Sequence, residues 1–156
     1  MLIAALLWCH LLAACGWIGG MFFALFILRP TLAPLAPAQR LALHRDALGR
    51  FFPWVWGFVV ATLVSGFGLI GLVYGGFAQM PLVFHLMAAG GLLMGLIYTI
   101  LWLAPFATFR KAVAQSDGPR AAQALNQIRY LVLTNFVLGL LMLALGALGR
   151  FGPALG

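Results

Sequence analysis

Charge is what this sequence has least of: only 7% of its 156 residues are Asp, Glu, Lys or Arg, against 65% hydrophobic. That balance excludes an ordinary soluble domain. Cysteine is scarce as well. Cys9 and Cys15 stand six positions apart in one apolar run, too far round a helix to bond each other, and read as small apolar-like residues. Leu12-Ala13-Ala14-Cys15 has the look of a lipoprotein cleavage box, but no Lys or Arg precedes it and the apolar run continues to Leu28. A retained transmembrane helix is therefore expected there.

What the chain has in abundance is apolar length. Residues 2–28, 52–74, 80–105 and 130–149 form four runs, each sufficient for the roughly 20 residues a bilayer requires. The expected fold is an all-α integral membrane protein, one four-helix bundle over residues 1–156 running up-down-up-down, with loops at 29–51 and 106–129. The net charge of +7 is unevenly placed. Arg29, Arg40, Arg45 and Arg50 fall in the first loop, and Arg110, Lys111, Arg120 and Arg129 in the third; Arg150 alone lies on the other side. This is a positive-inside distribution, which puts both loops in the cytoplasm and both termini outside. The basic charge reports topology and contact with lipid, and a nucleic-acid partner is not expected.

Finer expectations follow from local signals. Pro34 and Pro37 start the first loop extended, residues 39–50 form a short interfacial helix, and His44 is a solvated loop histidine. Pro53 takes the first turn of the second membrane helix, with Trp54 and Trp56 in an aromatic belt. Met80-Pro81 opens the third helix, which runs past Pro105 through Lys111. Ser116-Asp117-Gly118-Pro119 is a turn with an N-cap signal, and from Arg120 a helix continues unbroken into the fourth segment. Asn135, the one strongly polar residue of that segment, serves to bond across helices.

One stretch is written twice. His10 to Gly20, H-L-L-A-A-C-G-W-I-G-G, aligns with His85 to Gly95, H-L-M-A-A-G-G-L-L-M-G, matching His10/His85, Ala13/Ala88, Ala14/Ala89, Gly16/Gly91 and Gly20/Gly95. Histidine inside a membrane is costly and marks a functional site by default. The echo implies a parallel two-fold repeat, helices 1–2 and 3–4, about an axis along the membrane normal. Diagonal helices of such a bundle stand about 12–14 Å apart, given neighbours at about 8–10 Å. Two imidazoles at that separation suit the two faces of a haem b iron better than one bare ion. The paired alanines and glycines would leave room for the porphyrin, Ser65 to Gly75 would clear space on the second helix, and Arg150 would meet a propionate. Electron transfer, with a quinone or a periplasmic redox protein as partner, is the chemistry expected of such a site.

Two other readings stay open. Copper would be held by His10 and His85 with Cys9, Met80 or Met87, soft ligands for Cu(I). A cofactor-free assembly partner would use the glycine faces for packing, each histidine merely bonding a backbone carbonyl.

His10 followed by Trp17 and Gly19-Gly20 resembles the first helix of the copper resistance protein D (CopD) family. The stretch from His85 through Ala104-Pro105-Phe106, Ile128-Arg129 and Asn135-x-x-Leu138-Gly139 is similar to small stand-alone members of that family. The resemblance implies a bacterial inner-membrane protein that moves copper or confers tolerance of it. HemJ-type protoporphyrinogen oxidases share the histidine-to-tryptophan spacing. Their pattern implies haem b on the residue matching His10 and an essential lysine in the third helix. Met87 stands where that lysine would be expected, so a membrane oxidoreductase of that type is doubtful.

Overall fold

The computed structural model describes the backbone of residues 1–151 and the side chains of residues 1–149. Among these residues every regular element is helical. Four long helices dominate: α1 (Leu2–Leu32), α2 (Pro37–Tyr74), α3 (Leu82–Ala114) and α4 (Gly118–Phe151). All four are long and apolar enough to cross a bilayer, so this is a multi-pass membrane protein whose outer faces meet lipid.

Neighbouring helices run in opposite directions. Gly16 and Gly20 of α1 lie against Phe58 and Phe51 of α2, and Gly91 and Gly95 of α3 against Leu63 and Val59 of α2. Gly90 of α3 faces Met142 of α4, Gly146 faces Met87, and Gly139 touches both Ile18 of α1 and Met94 of α3. Thus α1 packs on α2 and α4, and α3 on α4 and α2.

The connections are shorter than expected. The loop predicted over 29–51 shrinks to residues 33–36, and the separate interfacial helix over 39–50 is instead the first third of α2. Pro37 starts that helix, and Pro53 sits deep inside it rather than in its first turn. The reason is a buried stripe that runs straight through the proline: Leu41, His44, Leu48, Phe52, Val55 and Val59, at helical spacing. Packing along that stripe offsets the one backbone hydrogen bond that Pro53 cannot donate. Within the connection over 106–129, α3 extends to Ala114 and α4 starts at Gly118, which leaves residues 115–117 between them. There the Asp117 carboxylate accepts the Arg120 N–H at 3.1 Å, the N-cap signal read from the sequence, and α4 continues unbroken from it. At the other end of α2, Gly75 adopts φ +67° and donates its N–H to the Gly71 carbonyl, a left-handed helix stop.

α2 is 38 residues long, about 57 Å at 1.5 Å per residue, so it reaches well beyond a hydrocarbon core of about 30 Å. The surplus lies at the end carrying the basic residues, called here the basic end. The packed core lies mainly toward that end too. Phe52, Tyr98, Trp102 and Phe106 form an edge-to-face and tilted aromatic cluster there, flanked by Phe109, Ala112, Ala121 and Ala124. The Tyr98 hydroxyl donates to the Phe52 carbonyl, and Asn135 Nδ2 donates to the Met94 carbonyl at 3.0 Å, tying α4 to α3. Both α1 and α3 contain a widened π-helical segment, Phe23–Leu28 and Trp102–Phe106. Each goes with a proline, Pro105 within the second segment and Pro30 two residues past the first, whose ring crowds the carbonyl four residues earlier and opens the turn.

Candidate functional site at the seam of the first two helices

Away from the basic end, His10, Thr62 and Ser65 meet at the α1–α2 seam. Thr62, Ser65 and Gly66 share one face of α2 by their three- and four-residue spacing. His10 reaches across from α1, its Nδ1 lying 2.9 Å from the Thr62 carbonyl and 3.2 Å from Ser65 Oγ. A carbonyl only accepts, so Nδ1 carries the proton and Nε2 keeps its lone pair. The Ser65 hydroxyl donates to the Ala61 carbonyl and so can accept from the ring. Gly66 makes the approach possible, since a Cβ there would stand 3.1 Å from His10 Cε1. The imidazole is thus held in one tautomer, the arrangement in which metal-binding histidines are usually anchored. Thr62 Oγ1, buried beside this contact, has no hydrogen-bond partner among the described residues.

His85 repeats part of this. Its Nδ1 lies 3.3 Å from the Pro81 carbonyl one turn earlier, a longer and weaker contact made within its own helix, with the Phe77 ring beside it. Met80, at the entry to the same helix, is buried.

The remaining candidates are dispersed. Trp17 and Ala13 are buried, Trp17 in the main core, while Cys9, Ala14 and Ala88 are half-buried and Ala89 is exposed. The gaps left by Gly16 and Gly20 are filled by the rings of Phe58 and Phe51, and those of Gly91 and Gly95 by Leu63 and Val59. Met87 points toward Gly146 in the α3–α4 seam, away from the α1–α2 contact that holds His10. Arg150 lies outside the described side chains. Among the described residues no three His, Cys, Asp or Glu side chains come together.

One further assignment is corrected by the structure, and one pair of partners was missed. His44 is not solvated: it is a buried member of the α2 stripe, its Nδ1 bonding the Arg40 carbonyl at 2.9 Å. Thr62 and Ser65 escaped the sequence reading as partners of His10, although two hydroxyls three residues apart beside a glycine were the available sign.

Residues 45–149 match a family model described as copper resistance protein D. The matched region contains α3 with His85 and most of α2 and α4, and leaves α1 with His10 outside it. No curated protein and no solved structure matches the chain.

Proposed function

The chain belongs to the copper resistance protein D family, and from that premise we propose that it handles copper within the membrane, with His10 and His85 as nitrogen ligands. The observation that carries this reading is the anchored His10 ring. Its Nδ1–H is committed to the Thr62 carbonyl, which leaves Nε2 as a ready donor atom for a metal. Imidazole and thioether together suit Cu(I), and buried Met80 lies five residues before His85. Cys9, next to His10, is a free thiol. Because these ligands are dispersed, copper would be a cargo met by two or three donors at a time along a path, not the occupant of a closed site. The asymmetry of the basic residues supports an inner-membrane placement with both termini periplasmic, so that His10 and His85 lie toward the periplasm.

The bis-histidine haem reading, with electron transfer to a quinone or a periplasmic protein, requires space along the small-residue rows. Those rows are filled from α2 by Phe51, Phe58, Val59 and Leu63, which favours copper over haem.

The test uses the detergent-purified chain, Cu(I) competition against a chromophoric chelator, and a visible spectrum. Copper should bind, and His10→Ala should weaken it about 10- to 100-fold. Copper affinity unchanged in both His10→Ala and His85→Ala would overturn the ligand assignment. A Soret band lost in either variant would replace copper with haem.

A further inference from the structure

A second site lies at the basic end, and it is independent of any role for copper. A cavity of about 360 Å³ opens between α1, α2 and α4, a volume of roughly a dozen water molecules. Arg29, Arg40 and Arg129 line it, together with His44. Three cationic residues bordering one cavity repel one another, and an anion among them relieves that repulsion.

The protein itself supplies none there. Its only two acidic side chains are engaged elsewhere: Asp46 pairs with Arg45 at 2.8 Å, and Asp117 caps α4. Among the described residues no carboxylate lines the cavity. Arg40 makes one long hydrogen bond, 3.4 Å to the Ala33 carbonyl, and Arg129 lies over the Tyr130 ring. Most of their donor capacity is free, and guanidinium forks match phosphate oxygens in geometry.

Apart from Asn126 the rest of the wall is apolar. It includes Leu25, Leu28, Leu48 and Val132, surfaces of no use to a free inorganic anion but suited to glycerol and the first carbons of acyl chains. The depth agrees. Arg29 directly follows the apolar run ending at Leu28, and Arg129 directly precedes the run beginning at Tyr130, which is where headgroups meet hydrocarbon.

We propose that this cavity is a binding site for the phosphate headgroup of an anionic phospholipid, with Arg29, Arg40 and Arg129 as the phosphate ligands. Native mass spectrometry of the detergent-solubilised full chain tests it, with phosphatidylglycerol, phosphatidylcholine and inorganic phosphate titrated separately. Phosphatidylglycerol should be retained preferentially. The pair Arg29→Gln/Arg129→Gln should weaken its binding about tenfold or more. The pair Arg110→Gln/Lys111→Gln, equal in charge lost but outside the cavity, should change it less than about twofold. The pair Arg29→Lys/Arg129→Lys, which keeps the charge but not the fork, should bind more weakly than the parent and more tightly than the glutamine pair, and so separates loss of ligands from loss of fold. Equal weakening by both glutamine pairs would overturn the site in favour of diffuse attraction. Equal retention of phosphatidylcholine would overturn it as well. Inorganic phosphate that binds as tightly as the lipid and displaces it would reassign the cavity to a free anion.

Discussion

Gly66→Ala adds one methyl group at the point where α2 touches the His10 ring. The new Cβ would lie 3.1 Å from His10 Cε1 and 3.3 Å from Nδ1, closer than ordinary carbon contacts of 3.4–4 Å. Relief requires the ring to retreat by a few tenths of an ångström. The Nδ1···Thr62 contact starts at 2.9 Å, so a retreat of that size takes it toward the limit of useful hydrogen bonding at about 3.2 Å. Loosening the partner that orients a ligating histidine typically costs about 10- to 100-fold in metal affinity, or about 1.4–2.7 kcal/mol. Gly71→Ala is the matched control on the same helix, because a Cβ there meets no described residue within 4 Å. Chelator competition should show Cu(I) binding weakened at least about tenfold by Gly66→Ala and unchanged by Gly71→Ala. Equal affinities for the two variants would refute the claim that the Thr62 carbonyl positions His10 for copper.

Two predictions concern stability, read as thermal midpoints in detergent. Gly20→Ala drives a Cβ into the ring of Phe51; a packed aromatic ring has little room to yield, so a loss of about 1–3 kcal/mol is expected. Asn135→Leu forfeits the bond to the Met94 carbonyl, worth about 0.6 kcal/mol in membrane helices. The same change removes the buried, unpartnered Oδ1, a burden of about 1–3 kcal/mol, so the variant should be as stable as the parent or more so.

The four spanning segments were legible because apolar length is a one-dimensional property. The first loop was misjudged for a physical reason. Arg40, Arg45 and Arg50 make 39–50 look like surface, yet Leu41, His44 and Leu48 continue the interval that Phe52, Val55 and Val59 keep inside the membrane. Composition changes at Phe51, whereas periodicity does not. α4 keeps one register in the same way, with Ala121, Ala124, Ile128, Val132 and Asn135 along the helix expected to run unbroken from Arg120. His10 was legible as an anomaly in hydrocarbon. Its partner was not, because a backbone carbonyl leaves no mark in sequence. The occupants of the glycine gaps were equally hidden, since small residues announce a close approach without naming what approaches.

The widened turn of α1 has a consequence for angular phase. From Met21 to Arg29 is eight residues, which in an uninterrupted α-helix advances about 800°, leaving Arg29 about 80° away from the face that Met21 buries. A π turn absorbs one extra residue. The effective advance becomes about 700°, which returns Arg29 to within about 20° of that face. Phe23–Leu28 therefore works as a phase shifter between two registers of one rod. Upstream, Ala13, Trp17 and Met21 mesh with the bundle; downstream, Arg29 comes to the side of the rod that borders the cavity while staying exposed.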